Sequence, residues 1–351
     1  MKKQWAEALW KARNRKSALS SLKQRVRRKN RIREARALGQ AAAAPRLVDD
    51  SHHRPPIQFA APELLSLTDH PDECVHFFSE LYGFSKRRDV FVNLSRVKRI
   101  TPDAIALLVS LVIGIGRRQK VRISGNYPAA QGATEMIRAS GFDEYLKSSG
   151  PPPATTRGAI VKRDFVRDSR RAEPGRAKEL IDFAAKNDHD IARLRPAYEN
   201  LLECMSNTHQ HASKLEGTEY WWASVFQDRS RCCDCFTFVD MGVGIFESIE
   251  LNLRLKIHRL SGLGRVEIMR KLLAGEIPSS TGLAYRGKGL PSIVESLRGR
   301  RLLARLVIVT NDVYVDVGAN RFEHMPCPLK GLLLYWEVPH GHKREVQDDQ
   351  P

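Results

Sequence analysis

The chain has 351 residues, 42% of them hydrophobic and 28% charged, which is enough apolar side chain to build a core and excludes wholesale disorder. Six cysteines in this length are too few for a disulfide scaffold, and a reducing cytoplasm is the natural reading. The basic N-terminus shows no secretory signal, and the longest apolar run, residues 104–116, is too short for a bilayer, so no membrane span is expected.

The net charge of +18 is concentrated at one end. Residues 1–46 carry 15 Lys/Arg against only Glu7 and Glu34, while the remaining residues are nearly balanced. Residues 1–45 read as a basic helical arm, with Trp5, Leu9, Leu19, Leu22 and Val26 forming a partial apolar stripe. Such an arm suits nucleic acid through residues 1–46, an acidic face of a protein partner, an anionic membrane surface, or packing on its own body. The stretches Gln40–Pro45 and Asp49–Pro56 read as linker.

Between residues 46 and 150 the expected elements alternate. Val90–Leu94 is a predicted strand, Pro102–Arg118 a helix with proline at its start, Val121–Gly125 a strand, and Thr134–Ala139 a short helix closed by Gly141. This order predicts helices packed on an open sheet. The run Ser148–Ala154, rich in proline, is the expected boundary, with 151–158 as linker. A fragment from about 155 to 345 is therefore expected to fold alone. The segment Val92-Asn93-Leu94-Ser95, followed by Ile100 to Ile105, the Val121 strand and Gly141-Phe142, resembles a STAS domain, the fold of anti-sigma-factor antagonists. In that family a turn hydroxyl is phosphorylated. Here Thr101-Pro102-Asp103-Ala104 puts a carboxylate near that place, so the resemblance implies a scaffold rather than a phosphoswitch.

Three elements in residues 159–340 carry the chemistry. In Glu203-Cys204-Met205-Ser206-Asn207-Thr208-His209-Gln210-His211, steps of four place Glu203, Asn207 and His211 on one helical face. A carboxylate there can polarise water, and an amide oxygen suits a hard ion such as Mg²⁺. The run Phe236 to Asp240 is a strand ending in a carboxylate, followed by Gly242 and Gly244, where backbone can turn tightly round a ligand. Gly287-Lys288-Gly289-Leu290 precedes a helical stretch through Leu297, a place for an anion.

In this order the three elements resemble the GHKL superfamily, the ATPases of gyrase, heat-shock-90 chaperones, histidine kinases and MutL. Glu203 and Asn207 match the N box, Asp240 to Gly244 the first glycine box, and Gly287 to Leu290 the second. Residues 245–286 take the place of the ATP lid. Lys330-Gly331-Leu332 falls where the family has Gly-Thr, with Leu332 in place of the threonine. The resemblance implies a Bergerat-type α/β sandwich that binds ATP with Mg²⁺ and controls a partner. It implies that Asp240 receives the adenine amine, Asn207 holds Mg²⁺, and Glu203 is the general base. It also puts Gly242, Gly244, Gly287, Lys288, Gly289, Leu290, Gly331 and His211 around the nucleotide.

An ATPase, a serine kinase of the anti-sigma-factor type, and an ATP-gated adaptor docking through its arm all remain open, as does a homo-oligomer. His189 precedes Glu203 by only 14 residues, which disfavours a histidine kinase with its own dimerisation hairpin. Cys232, Cys233 and Cys235 lie in an expected strand, where alternation keeps them from converging on a metal. His340 and His342 read as solvated, with 341–351 a tail.

Overall fold

A computed structural model describes residues 55–84, 88–119, 121–145, 157–162, 173–186, 191–211, 221–247, 262–277, 289–299 and 305–340. The basic arm, the boundary at Ser148–Ala154, residues Gly287 and Lys288, and the tail lie outside them. No helix among the described residues is long and apolar enough to cross a membrane.

The chain is mixed α/β. Its first half runs β1 (Ile57–Ala60), β2 (Leu64–Leu65), α1 (Pro71–Gly83), β3 (Val90–Asn93), β4 (Arg99–Ile100), α2 (Pro102–Gln119), β5 (Ile123–Gly125) and α3 (Gln131–Ala139). Strands β1, β3 and β5 form a parallel sheet in that order, and β2 pairs with β4, also parallel. Proline starts both α1 and α2, where its missing N–H costs nothing, and acidic residues in both first turns complement the helix dipole. Asp103, in the first turn of α2, is fully buried and accepts the Leu67 N–H at 2.9 Å. It ties α2 to the loop that leads into α1.

The second half supplies β6 (Gly158–Lys162), α4 (Pro174–Ala185), α5 (Arg195–His211), β7 (Trp221–Asp228), β8 (Cys233–Asp240), α6 (Arg265–Leu273), α7 (Gly289–Gly299), β9 (Arg305–Asp316) and β10 (Arg321–Pro339). Its five strands pair antiparallel in the order β6-β7-β8-β10-β9. Apolar residues fill both faces, as a sheet covered on both sides requires. One face (Trp221, Phe236, Phe238, Ile308, Leu334, Trp336) packs on α4, α5, α6 and α7.

The other face (Trp222, Phe226, Val239, Val309, Leu333, Tyr335) joins the apolar residues of α1, α2, α3 and β3 in a single core. The segments on either side of the expected boundary are thus packed together. Polar contacts reinforce the seam: Arg305 on β9 reaches Asp69 Oδ1 at 2.9 Å and the Thr68 carbonyl at 2.6 Å, and the Tyr314 hydroxyl donates to the same carbonyl at 2.9 Å.

Only Cys233 and Cys235 lie in β8, where alternation puts both in the first-half core with their sulfurs 3.8 Å apart and Asp234 between them in sequence. Cys232, expected in the same strand, sits in the preceding turn with a φ of +48°. Asp234 is fully buried and pairs with the buried Arg193 at 2.9 Å. His340, expected to be solvated, instead sits 3.2 Å from the other Asp234 oxygen, because Arg193 and Asp234 draw the end of β10 inward. Arg193→Ala would remove the guanidinium from a buried carboxylate and leave it only His340. We expect it to cost about 3–5 kcal/mol in urea unfolding, whereas Arg193→Met combined with Asp234→Leu costs much less.

Candidate functional site

The end of β8 faces α5. Asp240 shares the side of the strand occupied by Phe236 and Phe238, so its carboxylate points toward the helix that carries Glu203 and Asn207. It accepts the Gly242 N–H at 2.7 Å, and the Thr208 hydroxyl reaches it as well as the Cys204 carbonyl. Burial pushes the Asp240 carboxyl up to about 6, against the opposing pull of the Gly242 amide and the Thr208 hydroxyl. A carboxylate kept in such surroundings, with few internal partners, is suited to receive a donor from outside the chain.

The helices bring the other two elements to the same face. A Cβ on Gly289, the first residue of α7, would lie 2.4 Å from Asn207 Nδ2 and 2.8 Å from Glu203 Oε1. A side chain at 289 would displace the Asn207 amide and the Glu203 carboxylate from their present positions against the start of α7. Glu203, Asn207 and Gly289 thus lie together although 81 residues separate Asn207 from Gly289 in sequence. Leu290 packs into the apolar cluster beneath. His211 ends α5, but its side chain lies outside the described structure, as do Gly287 and Lys288.

The strand register completes the site. Asp240 pairs with Trp221 on one side and Leu332 on the other, and Leu332 pairs with Thr310. Gly331 adopts a φ of +94°, and a Cβ there would fall 2.0 Å from the Asp240 carbonyl oxygen. A side chain at 331 would push Asp240 out of place. Leu332 offers no hydroxyl, yet its cross-strand partner does: Thr310 Oγ1 donates to the Gly331 carbonyl at 2.9 Å and accepts the Ile245 N–H at 3.1 Å.

Asn311 adds a second brace. Its Oδ1 accepts the Phe246 N–H at 3.3 Å and its Nδ2 donates to the Val243 carbonyl at 3.0 Å, which holds the turn through Gly244 against β9. Asn311 has a φ of +49° at a point where the β9–β10 register shifts, a bulge beside the site. From the expected lid, α6 is described. Arg265 at its start donates to Asp312 at 2.7 Å. Although part-burial raises the Asp312 carboxyl, this guanidinium holds it below the ordinary carboxylate range.

Thr208, Thr310 and Asn311 are not among the site residues expected from the sequence. Thr208 lies one position off the 203–207–211 face, and only the β8 strand end opposite gives it a role. Thr310-Asn311-Asp312 had a visible signal: three polar residues interrupting an apolar strand, Leu306–Val309 and Val313–Val315.

No protein-family model matches the chain, and no curated protein matches its sequence.

Proposed function

We propose that the chain binds Mg²⁺–ATP at this site and uses nucleotide state to control a partner, as the GHKL likeness implies. The observation that carries the reading is the approach of Gly289 to Glu203 and Asn207 on the face that also presents Asp240. That residues far apart in the chain share this face is what supports the reading.

The residues fit the group. Asp240 would take the exocyclic amine of adenine, because it is a carboxylate with room for one further donor. Asn207 would offer its amide oxygen to Mg²⁺, a hard ion that prefers oxygen ligands. The first turn of α7 presents backbone N–H groups and the positive end of its dipole, which suits phosphate. Bound Mg²⁺–ATP would supply a transferable γ-phosphoryl group. Glu203, beside the start of α7, would hold and orient the attacking water and accept its proton. The braces from Thr310 and Asn311 fix the turn after Asp240, so that little reorganisation is needed on binding.

The test is a calorimetric titration of the whole chain with ATP, with and without Mg²⁺, beside phosphate release. Gly289→Ala drives a methyl group into Asn207 and Glu203, whose side chains can swing aside. The expected outcome is a native-like melting temperature with Mg²⁺-dependent ATP binding weakened and phosphate release reduced roughly 10²–10⁴-fold, the scale of a displaced general base. Unchanged binding and turnover in Gly289→Ala would dismiss this assignment of the site. ATP binding without phosphate release in the native chain would favour the adaptor over the ATPase.

A further inference from the structure

We propose that Met241 is a positioning residue through which helix α2 sets the strength of nucleotide binding; this rests on the ATP reading of the site. Alternation at the end of β8 sends neighbouring side chains to opposite faces of the sheet. Asp240 turns toward α5, and Met241 turns toward α2, where it is buried in the first-half core. Ser110 Oγ of α2, itself fully buried, lies 3.6 Å from Met241 Sδ and donates to the Leu107 carbonyl at 2.7 Å.

The turn from Met241 to Phe246 is thus gripped from two directions. Thr310 and Asn311 hold its amides from β9. Met241 anchors its first residue from behind the sheet. Since Asp240 and Met241 are joined by one peptide unit, a change in the seat of Met241 rotates the backbone that aims Asp240. Helix α2 is itself fixed to the loop before α1 through Asp103 and Leu67, and that loop is held to β9 by Arg305. The path from the loop before α1 through α2 to the site is therefore made of packed and hydrogen-bonded contacts. Linkage requires it to work in both directions: whatever α2 does to nucleotide affinity, nucleotide does to the stability of α2's seat.

The experiment uses the full chain and four variants. Met241→Ala removes the anchor, Met241→Val shortens it, and Met241→Leu conserves its volume. Leu81→Ala, in α1, opens a cavity in the same core at a residue of another element and controls for lost stability. Hydrogen exchange is read at the Gly242, Ile245 and Phe246 amides, and ATP affinity by calorimetry. We expect at least 10-fold faster exchange at those amides in Met241→Ala than in Leu81→Ala. ATP binding should weaken roughly 5–20-fold in Met241→Ala and return to native in Met241→Leu. Should Met241→Ala not fold, Met241→Val is held to the same comparison, with a smaller shift in the same direction.

Equal amide exchange in the Met241 and Leu81 variants overturns the positioning role. So does native ATP affinity in Met241→Ala when the wild type binds ATP. A wild type that binds no ATP, with the turn amides still released only by loss of Met241, removes the nucleotide reading and leaves the positioning role standing.

Discussion

Asp240→Asn is expected to make the ligand-free protein more stable at neutral pH while weakening ATP binding. Burial holds the Asp240 carboxyl at about 6 in the fold against an ordinary 3.8. The folded state therefore favours the protonated acid more than the unfolded chain does. That advantage is complete below about pH 4 and is lost as pH rises through 6, so at pH 8 the charged carboxylate is a burden of about 3 kcal/mol. Asparagine keeps an oxygen for the Gly242 N–H and carries no charge. Melting curves at pH 5 and pH 8 should show the variant ahead at both, with the larger margin at pH 8.

ATP affinity should move the other way. A hydrogen bond to a charged group contributes about 1.5–3 kcal/mol, so its neutral replacement should bind roughly 10–100-fold more weakly at pH 8. Wild-type affinity should also fall as pH drops through about 6, the point at which the carboxyl gains its proton. A variant that is less stable at pH 8, or that binds ATP as the wild type does, would refute the role given to Asp240. A residue that costs stability in the empty protein and returns it as recognition is what a binding site built on a strained charge looks like.

The parts of this molecule that were legible in the sequence are those governed by local pattern. The alternation of apolar strands and proline-started helices placed β3, α2, β5 and α3 within a few residues, because periodicity and helix ends are written locally. The face shared by Glu203 and Asn207 was legible for the same reason. What the pattern could not convey was pairing between distant segments. Whether Leu332 would meet Thr310, and so regain a hydroxyl on the next strand, depends on the register of β9 and β10. Register there is set by a bulge at Asn311, which a single strand read alone does not reveal. Local pattern leaves His340 solvated, because nothing near it in sequence is its partner. Asp234, 106 positions away, is.

The same blindness to distant pairing governs the second large effect, the fate of the second half when severed from the first. A proline-rich stretch with short, balanced segments on either side reads as a boundary, and an independent fragment follows from that reading. The packing argues for the opposite result. A fragment spanning residues 157–340 keeps its sheet and α4 to α7 but strips one sheet face. Trp222, Phe226, Val239, Val309, Leu333 and Tyr335, all now buried, would meet water. At about 1.5–3 kcal/mol for each large apolar side chain, their exposure forfeits on the order of 10 kcal/mol. A domain's whole stability is about 5–15 kcal/mol. Arg305 would also lose Asp69 and the Thr68 carbonyl. The fragment expressed alone is therefore expected to aggregate, or to remain compact without a cooperative thermal transition. Co-expression with residues 55–145 should restore a soluble pair that melts in one step, since the missing face is supplied in trans. Light scattering and calorimetry of the two preparations decide the matter. A monomeric fragment with its own sharp transition would mean that the two halves fold separately, and that their shared core is an interface.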